Sequence, residues 1–241
     1  MGAYQIKLSD FNPKDPDLAA VSGALRVLAG SSEMKTWKMA ATMVWMAAGA
    51  ACYGAPNNLM VVIFNFAGAP RADLDAAAEE ARQAFHTAGV ETTWTVCQVA
   101  SDPSQDCVRP PAGTYLEVKL VAQAVASAFL SRENLAYAMQ CPPHQGCTTA
   151  YVFYVPLLAY ARDADKPVEV ALAYVMAHEI GHLMGLGHSA CGIMKPHFDQ
   201  HDLADAAIGR FRFYADNAKK LRAGVALWVA ATAPRVVAEA K

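Results

Sequence analysis

One stretch of eleven residues constrains this chain more than any other part of it. It reads HEIGHLMGLGH and runs from His178 to His188. Residues four apart on a helix share a face, so His178 and His182 can present ring nitrogens to one metal ion with Glu179 beside them. Gly185 can end the helix in a backbone conformation that most residues avoid, which brings His188 toward the same ion. Three neutral imidazoles and one open position are typical of catalytic zinc, whereas structural zinc usually has four protein ligands.

A methionine close behind this motif extends the pattern. The form HExxHxxGxxH arises by chance in a chain of 241 residues with a probability on the order of 10⁻⁵, so ordinary core histidines explain it poorly. Met194 follows in the segment CGIMKP, with five residues between it and His188. Together the two segments resemble the metzincin clan of zinc endopeptidases. Their amino-acid sequences are most similar to those of the matrixin branch and of bacterial secreted metzincins of unassigned role.

The resemblance implies a fold and a mechanism. The fold is a zincin-like single domain of the α/β (α+β) class, with a mixed twisted sheet, an antiparallel edge strand, a buried active-site helix and a C-terminal helix. The implied activity is hydrolysis of peptide bonds with one catalytic Zn²⁺, bound by His178, His182 and His188, while Glu179 acts as the general base. Met194 would form the Met-turn, a hydrophobic floor beneath the imidazoles. Its closeness to His188 leaves little room for a long specificity loop.

The residues alone leave some roles open. A secreted or lipid-anchored zinc-containing protein could use the same histidines for binding or adhesion without turnover. Glu179 favours the endopeptidase, because a metal scaffold needs no base beside its ligands. Tyr160 and Tyr214 are candidates for stabilising an oxyanion, without a spacing argument. His197 and His201 are four apart but lack the following glutamate, so we interpret them as surface histidines, with a second metal site as the alternative.

Length and charge limit the partners. A chain of 241 residues is one domain, or one domain with appendages. The net charge of −2 and the absence of Lys/Arg clusters give no reason to expect nucleic acid or an anionic membrane surface as a partner. We expect a monomer whose partner is a peptide or protein substrate, with membrane attachment only if Cys52 carries a lipid.

The N-terminal part is typical of an extension followed by a secretion signal. Residues 1–33 are polar and show no periodicity, so we expect a non-native or disordered extension, with translation starting at Met34. Residues 34–51 combine lysines, an apolar run and a small-residue exit, as signal peptides do. A buried helix is the alternative. Cleavage would leave a secreted or periplasmic catalytic domain, 52–241, and lipidation of Cys52 would instead anchor it at the cell envelope.

Six cysteines favour an oxidising compartment. Two close pairs flank polar or Pro-rich loops and are predicted to be disulfides, with free thiols as the alternative: Cys97 with Cys107, and Cys141 with Cys147. Cys191 has three interpretations, namely a bridge to Cys52, a contact with the metal, or a free thiol.

Apolar periodicity predicts a sheet covered by helices. Strands are predicted at 59–66, 91–99, 115–121, 134–140 and 149–155, and helices at about 70–88, 168–184, 199–207 and 214–229. The run 59–66 is apolar throughout, which is typical of a strand covered on both faces, and with the next helix and strand it forms a βαβ unit with a parallel pair. The segment 134–140 is predicted to be the edge strand along which an extended substrate pairs.

Overall fold

Residues 4–7, 58–99, 107, 111, 113–124, 134–138 and 148–232 are described by a computed structural model of the chain, and all belong to one compact unit. Six strands of this part form one sheet: β1 (Tyr4–Lys7), β2 (Asn58–Asn65), β3 (Glu91–Cys97), β4 (Leu116–Val121), β5 (Asn134–Ala138) and β6 (Thr149–Phe153). Five helices accompany them: α1 (Arg71–Thr87), α2 (Tyr154–Asp163), α3 (Val168–Leu183), α4 (Gln200–Ala207) and α5 (Ala215–Thr232). The predicted mixed α/β class is confirmed.

The sheet has the order β1-β5-β6-β4-β2-β3. Strands β3, β2, β4 and β6 run parallel to one another, while β5 is antiparallel to β6 and β1 is antiparallel to β5. The predicted βαβ unit is confirmed as β2-α1-β3, in which Val61 lies opposite Trp94. Both faces of β2 are covered, because Val62 and Ile63 are both fully buried.

Strand β5 is not at the edge that its sequence predicted. The four residues of β1 pair along its outer side, with Gln5 opposite Tyr137 and Ile6 opposite Ala136. Tyr4–Lys7 belongs to the segment 1–33, whose assignment as a non-native or disordered extension stays a prediction. A short strand whose partner lies more than a hundred residues away has no local sequence pattern that predicts its pairing.

Helix α3 is buried on nearly all sides. Every residue from Ala171 to His182 is buried, because α3 packs against α1, α2, α4 and two strands. Helix α5 crosses its end so closely that a Cβ on Gly224 would collide with the carbonyl oxygen of Met184. The apolar character of the segment 168–184 correctly predicts this burial.

The predicted disulfide between Cys97 and Cys107 is present, and it joins the end of β3 to the following loop across a Cα–Cα distance of 5.3 Å. Cys52, Cys141 and Cys147 lie outside the described residues, as does the predicted signal segment 34–51. No helix in the described ranges is long and apolar enough to cross a membrane.

Candidate metal centre

The end of α3 turns the chain back on itself. Helix α3 ends at Leu183, and Gly185 follows with a φ of +85°, a left-handed conformation that favours glycine. The N–H of Gly185 donates to the carbonyl of His182 at 2.9 Å, and the N–H of Leu186 donates to the carbonyl of Gly181 at 3.0 Å. This pair of hydrogen bonds is a Schellman motif, which closes the helix and reverses the chain direction. His188 therefore lies beside the last turn of α3.

The structure brings His178, His182 and His188 together. One ring nitrogen from each lies within 4.8 Å of the others, and in the described part of the chain this is the group of ligating side chains that fits a metal ion. The His188 ring centroid lies 5.4 Å from that of His178 and 4.9 Å from that of His182. His178 and His182 are buried, while His188 is partly exposed. The centre therefore has a buried side formed by the helix and a more open side at His188.

Backbone carbonyls determine which nitrogens face the centre. Nδ1 of His178 lies 2.6 Å from the carbonyl oxygen of Ile193, and Nδ1 of His182 lies 2.8 Å from that of Leu186. Because a carbonyl oxygen can only accept, each Nδ1 must carry the proton, and each neutral ring then has its lone pair on Nε2. These two Nε2 atoms are 2.9 Å apart.

This arrangement fits a cation. Two nitrogen lone pairs at such a separation repel each other unless a positive charge lies beside both. Burial and the neighbouring His182 hold the pKa of His178 well below its usual range. Burial likewise lowers the pKa of His182 to about 4, although the Leu186 carbonyl opposes the shift. Protonation of these rings at neutral pH is thus unfavourable, and a metal ion with imidazole ligands satisfies the lone pairs instead.

Glu179 is fully buried next to this pair. Neither carboxylate oxygen accepts a hydrogen bond of normal distance and angle. Burial raises the pKa of Glu179 well above its usual range. The backbone N–H of Ala138 in β5 lowers that pKa but offsets burial only in part. A buried carboxylate with so little compensation is costly for folding, which is typical of a functional group.

Met194 lies beneath the last turns of α3. It is fully buried, and a Cβ placed on Gly181 would lie only 2.5 Å from its Sδ atom. Glycine at 181 therefore permits the thioether to approach the helix between the two histidines. The N–H of Ser189 donates to the Met194 carbonyl at 2.8 Å, which ties the chain after His188 to the methionine turn. The metzincin-type role of Met194 stays a prediction.

The other candidate residues from the sequence are Cys191, Tyr160 and Tyr214, and each lies in a different environment. Cys191 is exposed and has no disulfide to a described cysteine, and it is not part of the histidine group. The bridge to Cys52 stays a prediction. Tyr160 donates its hydroxyl to the Asp199 carbonyl at 3.2 Å, and the Tyr214 ring borders Gly192. These two contacts do not involve the three histidines.

His197 is the residue that sequence reasoning missed. It is partly buried, and its charge acts on both His178 and His188, with burial as the larger cause of the lowered pKa in each. It therefore lies near the centre and is not the isolated surface histidine that its local sequence suggested. Its spacing gave no indication, because the turn at 189–196 and not a helix brings it there. The described residues give no second metal group containing His197 and His201.

Three comparisons place these features among known proteins. Residues 91–208, from β3 to just beyond α4, match the family model described as matrixin. This segment holds the three histidines together with Glu179 and Met194. Among solved structures, the chain is similar to archaemetzincin from Methanopyrus kandleri, with 16% identity, a TM-score of 0.43, and coverage of 72% of this chain and 98% of that chain. No curated protein sequence matches.

Proposed function

We propose that this chain, a zinc metalloendopeptidase of the metzincin type, cleaves extended peptide segments outside the cell with Glu179 as its general base. The observation that carries the proposal is that the imidazole rings of His178 and His182, each with its proton on Nδ1, converge. Their Nδ1 protons are held by the carbonyls of Ile193 and Leu186, so both Nε2 lone pairs are directed to one point.

Zinc bound by His178, His182 and His188 would lower the pKa of an attacking water and polarise the scissile carbonyl. Glu179 follows His178 on the same helix and is fully buried. Its carboxylate would accept the proton of that water and pass it to the leaving amine. Burial of Glu179 supports this role, because a desolvated carboxylate is a stronger base than one in water.

An extended substrate suits the sheet. The outer side of β5 accepts an antiparallel strand, as its pairing with β1 illustrates, and Ala138 at the end of β5 is near enough to Glu179 to affect its pKa. A substrate using main-chain pairing at this strand would take the place of Tyr4–Lys7 and pass the centre. The substrate class we propose is therefore an unfolded or flexible peptide segment.

Secretion is supported by the cysteines. The disulfide between Cys97 and Cys107 is of a kind found mainly in oxidising compartments. The signal-like composition of 34–51 is consistent with export, either into the medium or periplasm or, with a lipid on Cys52, to the cell envelope. N-terminal sequencing of exported protein would test the cleavage site directly.

The experiment compares the full chain with its Glu179→Gln variant, using Glu169→Gln in the first turn of the same helix as the matched control. Zinc content and cleavage of a reduced, alkylated protein are measured together. We expect about one zinc per chain in all three proteins and a loss of activity in Glu179→Gln of about 10²- to 10⁴-fold, with Glu169→Gln near wild type. Cleavage by Glu179→Gln at the wild-type rate would refute the base. Zinc in all three proteins without cleavage by any of them would favour the binding or adhesion role.

A further inference from the structure

A group of three charged side chains lies in the segment that follows Met194. Lys195 Nζ is 3.0 Å from Asp199 Oδ2 and 2.6 Å from Asp202 Oδ2. These side chains are partly buried, with exposed fractions of 22% for Lys195, 35% for Asp199 and 13% for Asp202. By contrast, the Arg71–Asp75 pair on α1, which has the same i, i+4 spacing as Lys195 and Asp199, is 56% and 54% exposed. Partial burial of three charges costs desolvation energy, which their mutual contacts must offset.

The two aspartates form the start of α4. The N–H of Asp202 donates to Asp199 Oδ1 at 2.9 Å, and the N–H of Asp199 donates to Asp202 Oδ2 at 2.9 Å. This capping box fixes the first turn of the helix. The Tyr160 hydroxyl, which donates to the Asp199 carbonyl at 3.2 Å, ties the same turn to α2. Lys195 is therefore held by a rigid, twice-anchored helix end.

Lys195 also belongs to the turn that orients His178. Ile193, two residues earlier, supplies the carbonyl oxygen that lies 2.6 Å from Nδ1 of His178. The N–H of Lys195 closes the turn on the Gly192 carbonyl at 2.9 Å, and the N–H of Ile193 donates to the Arg212 carbonyl at 3.2 Å. The side chain of Lys195 thus adds a connection from this turn to α4, which packs against α3.

The connections form a closed ring. Helix α3 presents His178 to Ile193, the turn continues to Lys195, and Lys195 binds the first turn of α4. Helix α4 returns to α3, where the Tyr174 hydroxyl lies 3.4 Å from the carbonyl oxygen of Ala206. Movement of the turn would change the direction and the length of the hydrogen bond that sets the His178 tautomer.

We propose that Lys195, held by Asp199 and Asp202, is a positioning residue that keeps the Ile193 carbonyl on His178 and thereby sets the zinc affinity of the centre. The inference rests on the proposed metal site, and it adds a determinant that lies outside the ligands. Lys195 touches neither zinc nor substrate and acts through the turn. Burial alone would lower the pKa of Lys195, but its bonds to Asp202 and Asp199 outweigh burial and raise it, so the ammonium stays charged.

The test measures zinc affinity in the full chain by competition with a chromogenic chelator. Lys195→Met keeps most of the stem and removes the charge, Asp202→Asn keeps an oxygen for the capping box, and Lys195→Arg retains the charge. Arg71→Met is the matched control on α1. We expect the zinc Kd to rise about 10- to 100-fold in Lys195→Met, less in Asp202→Asn, and to remain near wild type in Lys195→Arg and Arg71→Met.

Two further readouts separate positioning from plain loss of stability. The Co²⁺-substituted proteins report ligand geometry, so the visible absorption bands should change in shape in Lys195→Met and not in Arg71→Met. Thermal unfolding of the metal-free proteins shows whether each variant is folded under the conditions of the affinity assay. Wild-type Kd and spectrum in folded Lys195→Met and Asp202→Asn would overturn the inference while leaving the metal site intact. Failure of the wild type itself to hold zinc would overturn the proposed function as well.

Discussion

Helices α1 and α3 pack on each other and on the sheet, yet they differ in whether their polar side chains are buried. Helix α1 buries one apolar face, formed by Leu74, Phe85 and four alanines, and none of its charged residues is buried. Helix α3 buries twelve consecutive residues, and three of these are His178, Glu179 and His182. Both helices belong to one core, so the contrast does not arise from a difference in location.

The difference indicates that packing alone explains the side chains of α1 but not those of α3. Charges on α1 cost little, since exposed pairs such as Arg71 with Asp75 contribute little and remain hydrated. Glu179 on α3 is buried without full hydrogen bonds, and a hydrophobic residue of similar size would stabilise the fold better. A group that opposes folding and is nevertheless present is a candidate for function.

Among variants that test this difference between α1 and α3, the largest effect is expected at Glu179. Glu179→Gln should abolish nearly all cleavage and yet stabilise the metal-free protein by about 1–3 kcal/mol, because a neutral amide is less costly to bury than a carboxylate. Chemical denaturation at pH 8 measures the change. Glu79→Gln on α1, where the side chain is 63% exposed, should alter neither property. Destabilisation by Glu179→Gln would contradict the view that this carboxylate opposes folding.

A smaller effect is expected from adding a side chain at the close contact between α3 and Met194. Gly181→Ala places a methyl group against the Met194 sulfur, so overpacking should destabilise the protein by about 1–3 kcal/mol. Gly187→Ala is the matched control, since no atom lies within 4 Å of its new Cβ, and it should stay within about 0.5 kcal/mol of wild type. Thermal denaturation compares the two, and shortening Met194 to alanine should relieve part of the Gly181→Ala defect. Equal stability of the two glycine variants would show that Met194 does not press on the helix.

The pH dependence of the metal-free protein should carry opposite contributions from α3. His182 has its pKa lowered from 6.5 to about 4, so the unfolded chain binds more protons in that window and stability rises with pH through it. Glu179 has its pKa raised from 4.5, so its contribution falls as pH rises above that value. With His178 acting in the same direction as His182, the histidines should raise stability up to about pH 6.5, and Glu179 should offset part of that rise. Denaturation of Glu179→Gln across this range should show a steeper rise than the wild type, and an unchanged slope would mean that Glu179 does not oppose the histidines.

The smallest effect is expected on α1. Arg71→Met breaks a solvated ion pair, so the free energy of unfolding should change by no more than about 0.5 kcal/mol and cleavage should not change. Urea denaturation and a peptide-cleavage assay are sufficient measurements. A loss of more than about 1 kcal/mol would mean that exposed charges on α1 matter as much as buried groups on α3.

Local sequence predicted the parts of the molecule that depend on local geometry. Helical spacing placed His178 and His182 on one face, a glycine marked the end of α3, and apolar runs predicted β2 and its parallel partner. Helix α2 was missed because β6 runs directly into it, without Gly or Asn, through tyrosine and valine residues that favour strands. The pairing of β1 and the approach of His197 depend on residues distant in the chain or on an irregular turn, for which periodicity gives no information.

The most direct test of the zinc centre is X-ray absorption spectroscopy at the zinc edge of the full-length protein. We predict three imidazole ligands at about 2.0–2.1 Å, no sulfur at about 2.3 Å, and loss of one imidazole in His188→Ala. A sulfur ligand would bring Cys191 into the centre and contradict the three-histidine site. Fewer than three imidazoles in the wild type, or no bound zinc, would contradict it altogether.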